Sequence, residues 1–200
     1  MGSSYVSEGY MAVGVGAART DSFDVVFSVH HDFVATLAYA MLGNTQDAED
    51  VTQEVFLRAY KALPSYRPDR AGMRTWLATI AINTCRSHRS RNFLRRLRQR
   101  AFGDGQEAEG VIDTSAWGAP EVHALQTEMR CTLEAVLSAM RDEHRTVLVL
   151  HYYMDLSCQE IAQVTNCPEG TVYSRLHYAR RIVQAQLERR ARRSDNEVEL

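Results

Sequence analysis

Apolar residues recur every three or four positions along most of the chain, and the alternation typical of strands is almost absent. A repeat of this period predicts amphipathic helices. In the first half the apolar stripes are Phe23, Val26, Phe27, Val34, Leu37 and Met41, then Ala48, Val51, Val55, Ala59 and Leu63, then Trp76, Leu77, Ile80 and Ala81. Gly43-Asn44 is a typical helix stop after the first stripe, and Pro64 begins a loop before the third. Three helices with short connections predict a compact bundle.

The chain changes character after Arg91. The stretch "RNFLRRLRQR" is strongly basic, and "AFGDGQEAEGVIDTSAWGAPEV" is rich in glycine and acidic residues without a helical period. A polar stretch of this length is unusual inside a compact domain and typical of a flexible linker. We therefore predict an all-α fold of two small helical domains. Its segments are a disordered tail over 1–20, an N-terminal helical bundle over 21–91, a linker over 92–120, a C-terminal helix-turn-helix domain over 121–188 and a tail over 189–200.

The C-terminal domain is predicted to contain a second small core and a helix-turn-helix. The core residues are Leu133, Val136, Leu137, Val147, Leu148 and Leu150. Ser157 followed three residues later by Glu160 forms a capping box, which predicts a helix start. Asn166-Cys167-Pro168 predicts the end of that helix and the first turn of the next one.

The last of these helices has two contrasting sides. Its apolar stripe is Val172, Leu176, Ala179 and Val183, and the opposite side holds Thr171, Tyr173, Ser174, Arg175, His177, Tyr178 and Arg181. Hydrogen-bond donors and aromatic rings in this arrangement suit a helix that lies in the major groove of DNA. The alternative is a helical hairpin whose polar side is merely solvated. The cap, the turn and the donor-rich side together favour DNA recognition.

Composition narrows the class of protein further. The chain has 45% hydrophobic and 24% charged residues and a net charge of −2, which are ordinary values for a globular protein. No apolar run approaches the roughly 20 residues of a membrane span, and the N-terminus does not have the pattern of a signal peptide. The four cysteines are widely spaced, which predicts reduced cytosolic thiols. Cys158 and Cys167 with a nearby histidine are a weak zinc candidate, and small apolar fillers are the favoured interpretation.

The residues between 47 and 91 and between 137 and 183 resemble a known family. "DAEDVTQEVFLRAYKALPSYRPDRAGMRTWLATIAINTCRSHRSR" resembles region 2 of the extracytoplasmic-function (ECF) bacterial sigma factors, and "LSAMRDEHRTVLVLHYYMDLSCQEIAQVTNCPEGTVYSRLHYARRIV" resembles their region 4. The resemblance implies a cytoplasmic RNA polymerase subunit that recognises −35 and −10 promoter elements, melts the −10 region and directs transcription initiation. The implied partners are core RNA polymerase, through its β′ coiled coil and β flap, promoter DNA, and an anti-sigma factor that is membrane-anchored. The protein itself is expected to be monomeric when free and not inserted in a membrane.

The resemblance also implies roles for individual residues. The core polymerase-binding set is Asp47, Asp50, Gln53, Glu54 and Leu57. The −10 set is Tyr66, Arg70, Arg74, Ile80, Asn83, Arg86 and Arg89, where Tyr66, Ile80 and Asn83 match the pocket for an unstacked base and the arginines hold phosphates. The −35 set is Glu169, Gly170, Thr171, Tyr173, Ser174, Arg175, His177, Tyr178 and Arg181. Tyr173 and Tyr178 stand where arginine is common in the family, and tyrosine cannot make the bidentate contact of arginine with guanine.

Three other classes of protein remain as alternatives. A dimeric helix-turn-helix regulator explains the C-terminal domain but leaves the N-terminal bundle without a role. A signalling adaptor built of helical bundles does not explain the donor-rich helix. An enzyme is disfavoured because the sequence has no Gly-rich phosphate loop, no metal-ligand cluster and no nucleophile–base pair. No cofactor, metal or catalytic residue is therefore predicted.

Overall fold

The computed structural model describes residues 18–102 and 135–198, and all the regular structure within these ranges is helical. The elements are α1 (Ala18–Leu42), α2 (Thr45–Ala62), a 3₁₀ turn (Leu63–Ser65), α3 (Met73–Phe102), α4 (135–139), α5 (Asp142–Tyr152), α6 (Cys158–Thr165) and α7 (Glu169–Val198). We call α1–α3 the N-terminal bundle and α4–α7 the C-terminal bundle. The predicted all-α fold with two helical regions is confirmed.

The junction between α1 and α2 forms as its residues predict. Gly43 has a φ of 69°, a left-handed conformation that glycine adopts without a steric penalty. Its amide donates to the carbonyl oxygen of Tyr39 at 2.8 Å. Asn44 then caps α2, because its side-chain oxygen accepts the amide of Asp47 at 2.9 Å. Two adjacent residues thus end one helix and begin the next.

The predicted apolar stripes are largely buried, with one exception on α1. Val34, Leu37 and Met41 are fully buried, whereas Phe27 remains 43% exposed. The Phe27 ring lies at the rim, 4.7 Å from the ring of Phe56 on α2 and 5.1 Å from that of His31. Phe27 therefore belongs to an aromatic cluster at the edge of the bundle and not to its centre.

The longest helix of each bundle crosses a predicted segment boundary. α3 continues through 92–102, which the sequence assigned to the linker, and α7 continues through most of the predicted tail. The stretch "RNFLRRLRQRAF" contains leucine, arginine and glutamine, which are good helix formers, and no proline or glycine. Its strong charge, which suggested a linker, is thus compatible with an extended helix. The rest of the predicted linker and Leu133 lie outside the described residues.

The two bundles pack against each other. Their buried apolar residues form one continuous cluster, in which α3 lies against α6 and α1 against α5. The second core predicted from the sequence is therefore continuous with the first. Phe23–Leu42 of α1 is long and apolar enough to cross a membrane by length and composition, with a mean hydropathy of 1.4. A core helix passes the same test, and α1 packs on both α2 and α3.

Candidate nucleic-acid and polymerase interfaces

Capping residues define where the first helix of the helix-turn-helix begins and ends. The Ser157 hydroxyl accepts the amide of Glu160 at 3.2 Å, and the Glu160 carboxylate accepts the amide of Ser157 at 2.9 Å, so the predicted capping box is present. Asn166 ends α6 with a φ of 50°. The two helices are held together by buried residues. These are Ile161, Val164, Val172, Leu176 and Ala179.

The opposite side of α7 is open. Tyr173 is 57% exposed, and Ser174, His177 and Arg181 are also exposed, as are Glu169 and Gly170 in the first turn. The Tyr173 hydroxyl donates to Glu169 at 3.2 Å, and this hydrogen bond raises the pKa of Tyr173. The hydroxyl proton of Tyr173 is thus directed at the Glu169 carboxylate. This exposed set agrees with the side predicted to face the −35 element.

Two of the predicted −35 residues lie at the margin of this open side. The Arg175 guanidinium donates to the Glu143 carboxylate at 3.2 Å and contacts the Cys167 sulfur at 3.6 Å. The Tyr178 ring lies 4.6 Å from the buried ring of His144. Tyr178 itself is 49% exposed, whereas Arg175 and Thr171 are partly buried. Arg175 thus reaches back to α5, whereas the sequence placed it among the outward-facing residues.

The predicted polymerase-binding residues follow one face of α2. Asp50, Gln53 and Leu57 are exposed, and Leu57 is 63% exposed despite being apolar. Glu54, between them, accepts hydrogen bonds from Arg58 and, at 3.0 Å, from Arg91 of α3. Partial burial would raise the pKa of Glu54, but the hydrogen bonds from these two arginines hold it below its ordinary value. This face therefore presents carboxylates around an exposed leucine.

Asp47, at the start of α2, is partly buried, as Glu54 is. Its carboxylate lies 3.7 Å from the His88 ring nitrogen of α3, and its side chain is partly buried. Asp47 is thus attached to the bundle at the start of α2. Like Glu54, which pairs with Arg91, Asp47 has a side-chain contact with α3.

The pocket residues predicted for the −10 element lie on one side of the N-terminal bundle. Trp76, Ile80 and Asn83 are spaced by four and three residues, so they share a face of α3. Ile80 is partly buried, Asn83 is exposed, and the Tyr66 ring lies 5.0 Å from the Trp76 ring. The Tyr66 hydroxyl donates to the Ala71 carbonyl at 3.1 Å, which fixes the loop before α3. Ile80 and Asn83 thus share one face of α3, and Tyr66 lies against Trp76 on the same helix.

The predicted phosphate-binding arginines are placed differently. Arg70 is exposed in the loop. Arg74 donates to the carbonyl oxygen of Met154 in the C-terminal bundle at 3.0 Å, with its guanidinium 4.8 Å from the centre of the Phe33 ring. Arg86 and Arg89 each donate to the carboxylate of Asp142 at 3.0 Å, which is also in the C-terminal bundle. Around the axis of α3, Arg86 and Arg89 lie about 60° and 120° from Asn83, and Arg74 lies on the opposite side of the helix.

Sequence reasoning did not identify the acidic residues that contact these arginines. Asp142 and Glu143 are consecutive in the first turn of α5, where acidic residues are favoured by the helix dipole. This preference of acidic residues for the first turn of a helix is the only role that the sequence indicates for Asp142 and Glu143. Their partners are 32 to 56 residues away along the chain, so no periodic pattern connects them.

The described part of the chain has free thiols but no cluster of side chains that could bind a metal ion. Within 18–102 and 135–198 there is no group of three or more His, Cys, Asp or Glu side chains placed to hold a metal ion. Cys85, Cys158 and Cys167 are free thiols. Burial raises the pKa of Cys85 to about 12, which keeps this thiol protonated. The fourth cysteine, Cys131, lies outside the described residues.

Two family descriptions match the chain. Sigma-70 region 2 matches residues 26–94, and Sigma-70 region 4 matches residues 132–183. The first range contains α2, the loop after it and most of α3. The second contains α5, α6 and the first half of α7, so every predicted interface residue lies within a matched region.

The chain is also similar to individual proteins over most of its length. The ECF RNA polymerase sigma factor SigW of Bacillus subtilis is 34% identical over 173 residues, covering 84% of this chain and 89% of SigW. The RNA polymerase sigma-H factor of Pseudomonas aeruginosa is 32% identical, covering 84% of this chain and 86% of that protein. The ECF RNA polymerase sigma-E factor of Escherichia coli K12 is 33% identical over 153 residues, covering 74% of this chain and 77% of that factor.

Solved structures show the same fold. The sigma factor RpoE of Bartonella quintana, in complex with the anti-sigma factor NepR, superimposes with a TM-score of 0.62 at 21% identity, over 84% of this chain and 98% of RpoE. CnrH, in complex with the cytosolic domain of CnrY, gives a TM-score of 0.61 at 22% identity, over 84% of this chain and 89% of CnrH. With both family regions in order and relatives above 30% identity matched over most of their length, the chain belongs to the ECF group of RNA polymerase sigma factors.

Proposed function

We propose that this chain docks on core RNA polymerase through the exposed face of α2. Sigma factors are transcription initiation factors and not enzymes, and they act on promoter DNA with RNA polymerase. The docking residues are Asp47, Asp50, Gln53, Glu54 and Leu57. An exposed leucine among carboxylates supports this assignment, because buried apolar anchors within a charged rim are typical of specific interfaces. The β′ coiled coil is the proposed partner of this face, and the β flap that of the C-terminal bundle.

The open face of α3 is the proposed site for the melted −10 element. A base removed from the stack loses a few kcal/mol of stacking, so the site that receives it must supply new contacts. Asn83 offers an amide for a base edge, while Ile80 and Trp76 supply apolar surface beside it. Tyr66 closes the adjacent loop through its contact with Trp76. Arg70, Arg74, Arg86 and Arg89 are the proposed phosphate contacts.

The open side of α7 is the proposed site for the −35 element. Tyr173, Ser174, His177 and Arg181 are its exposed donors, and Glu169, Gly170, Thr171, Arg175 and Tyr178 surround them. Buried Val172, Leu176 and Ala179 fix the orientation of this side relative to α6. A helix held in this way presents its exposed donors to a major groove.

A single observation carries this proposal: one chain presents two separate polar surfaces, on α3 and on α7, supported by one continuous core. A dimeric helix-turn-helix regulator needs only the second surface. The regulator remains the alternative, and it predicts a dimer bound to a palindromic operator. We propose that the free protein is a monomer.

Control by an anti-sigma factor is part of the proposal. RpoE of Bartonella quintana was solved in complex with the anti-sigma factor NepR, and CnrH was solved in complex with the cytosolic domain of CnrY. By analogy, an anti-sigma factor, membrane-anchored, is the proposed regulator of this chain. The proposed site of action is the cytoplasm, where RNA polymerase and promoter DNA are. α1 is proposed to serve as a core helix and not to insert in a membrane.

Run-off transcription tests the proposed function. Purified protein is added to core RNA polymerase with a library of promoter fragments, and the transcripts are sequenced. We expect transcripts that start at one class of promoter with defined −35 and −10 elements, and none from core enzyme alone. Absence of transcripts, together with tight binding of DNA by a free dimer, would favour the regulator.

A further inference from the structure

The margin of the open side of α7 packs against a buried histidine of α5. His144 is only 8% exposed, and its ring lies 4.6 Å from the ring of Tyr178, with an angle of 39° between the two planes. Tyr178 is 49% exposed, so part of its side chain packs on α5 while the rest faces solvent. It lies four residues after Ser174 and seven after Thr171, which places all three on one face of α7. His144 thus contacts a residue of the proposed −35 surface from inside the bundle.

The first turns of α5 hold His144 in a fixed position. Its amide donates to the carbonyl oxygen of Arg141 at 3.1 Å, and Val147, one turn further, is fully buried. α5 packs along α7, and Glu143, the residue before His144, accepts a hydrogen bond from Arg175 of α7 at 3.2 Å. Two consecutive residues of α5 therefore contact two residues of the −35 set.

The imidazole of His144 contacts Tyr178 as a neutral ring. Burial lowers the pKa of His144 below its ordinary value of 6.5, although the charge of Glu143 opposes this shift. The Nδ1 atom of His144 is buried and has no hydrogen-bond partner among the described residues. A buried polar atom without a partner destabilises the folded state, so an apolar ring of similar shape should be tolerated at least as well. The contact with Tyr178 is therefore ring packing and not a hydrogen bond through Nδ1.

A neighbouring ring restricts the motion of an exposed tyrosine. On a helix surface the Tyr178 side chain can exchange between rotamers. Packing against the His144 ring favours one of them, because aromatic rings attract each other in offset and tilted arrangements. A side chain that is already held in its bound orientation loses less conformational entropy on binding.

We infer that His144 is a positioning residue for −35 recognition, whose ring holds Tyr178 in the orientation in which Tyr178 contacts DNA. The inference rests on the proposed function, which places Tyr178 among the −35 residues. His144 does not touch DNA itself, because its side chain is buried. Its effect therefore passes through Tyr178 and requires both rings.

The contribution of the −35 element to promoter affinity tests the inference. We define the −35 gain as the affinity of the holoenzyme for a promoter that the wild type transcribes, divided by its affinity for the same fragment with a scrambled −35 element. Competition binding with fluorescent fragments measures both affinities. The variants are His144→Ala, His144→Phe, Tyr178→Ala and the double alanine variant.

Tyr152→Ala is the matched control. Tyr152 is also an aromatic residue of α5 that contacts α7, since its ring centre lies 5.7 Å from the guanidinium carbon of Arg180. Arg180 is not a member of the −35 set. Loss of this ring therefore removes a contact between the same two helices without removing the support of Tyr178.

His144→Ala and Tyr178→Ala are each expected to lower the −35 gain by about 2- to 12-fold, the range for loss of an aromatic pair. His144→Phe is expected to retain the gain because it keeps a ring, and Tyr152→Ala is expected to leave it unchanged. In the Tyr178→Ala background, His144→Ala is expected to have no further effect, since substitutions of residues in contact are not additive. If His144→Ala does not fold, His144→Leu fills the space without an aromatic ring and is expected to show the same loss.

Several results would overturn the inference. These are an unchanged −35 gain in His144→Ala, a loss in His144→Phe as large as that in His144→Ala, an equal loss in Tyr152→Ala, and a loss in the double variant equal to the product of the two single losses. A purely structural role for His144 predicts the last of these, because destabilisation of α5 would act whether or not Tyr178 is present.

The wild-type holoenzyme separates this inference from the proposed function. If the wild type binds the intact and the scrambled −35 fragments equally, the proposed role of α7 fails and the inference fails with it. If the wild type prefers the intact element and the His144 variants keep that preference, the inference fails alone and the proposed function stands.

Discussion

The guanidinium of Arg145 in α5 donates a 3.0 Å hydrogen bond to the carbonyl oxygen of Met41 in the last turn of α1. The same side chain donates to the carbonyl oxygens of Ser138 and Met140, both at 2.9 Å. Arg145 is only 3% exposed, and burial lowers its pKa to about 10, so it remains charged at neutral pH. One buried cation thus satisfies helix-end carbonyls in both bundles and complements the dipole of α1.

Replacement of Arg145 by methionine is expected to lower the free energy of unfolding by about 3 kcal/mol, because two buried carbonyl groups and one partly buried carbonyl group lose their donor. Urea unfolding followed by circular dichroism measures this loss. Arg58→Met is the control, since Arg58 pairs with Glu54 at the surface and is expected to change stability by less than about 1 kcal/mol. Equal losses in the two variants would contradict the assigned role of Arg145.

The lowered pKa of Glu160 makes the free energy of unfolding depend on pH. Partial burial would raise its pKa, but the hydrogen bonds from Ser157 and Thr75 and the charge of Arg74 lower it below the ordinary value of 4.5. A depressed carboxyl pKa stabilises the folded state above the unfolded-state pKa, and this contribution is lost as the pH falls through the folded-state pKa. We therefore expect Glu160→Gln to lose less stability than the wild type as the pH falls below about 5. Urea midpoints measured from pH 7 to pH 3.5 check this, and parallel curves would exclude it.

Local features of this fold were predictable because neighbours along the chain determine them. The capping box at Ser157, the helix stop at Gly43 and the buried stripe of α7 each need only a few consecutive residues. The sequence also placed Ile80 and Asn83 on one helix face, which the structure confirms by position. Their contacts with promoter DNA remain predictions.

Contacts between the bundles were not predictable in the same way. The sequence shows only that Arg86 and Arg89 are basic. Basic residues at these positions are equally compatible with exposure to solvent, with binding of phosphate and with the pairing to Asp142 that the structure shows. Sequence spacing shows which face of α3 they occupy but not what covers that face. Arg175 is a similar case, because it lies beside the apolar stripe of α7 and its long side chain reaches Glu143 on another helix.

Leu57 is expected to anchor the chain to core polymerase. Leu57→Ser is predicted to weaken core binding by about tenfold or more, as for loss of an apolar anchor at an interface, with little change in stability because the side chain is exposed. Val29→Ser is the matched control, since Val29 is 60% exposed on α1, outside the proposed face. Affinity is measured by titrating labelled core enzyme with each variant. Equal weakening in both variants would argue against a specific role for Leu57.

Asn83 is expected to act in promoter opening. Asn83→Ala is predicted to reduce open-complex formation while leaving core binding unchanged, because the exposed amide is proposed to contact an unstacked base and not the polymerase. Permanganate footprinting of the −10 region measures opening directly. Ser87→Ala, one turn further along α3, is the control for a polar change nearby. Wild-type reactivity in Asn83→Ala would remove Asn83 from the proposed pocket.

Tyr173 is expected to determine which −35 sequence is preferred. Its ring is exposed on the open side of α7, and its hydroxyl is oriented by Glu169. Arginine at this position can make a bidentate contact with guanine, which tyrosine cannot. Tyr173→Arg is therefore predicted to shift preference by roughly tenfold at one base pair towards guanine, whereas Tyr173→Phe tests the hydroxyl alone. Sequencing of promoters selected by each holoenzyme gives the result. If Tyr173 instead contacts only the DNA backbone, both variants will weaken all −35 sequences alike and the selected consensus will not change.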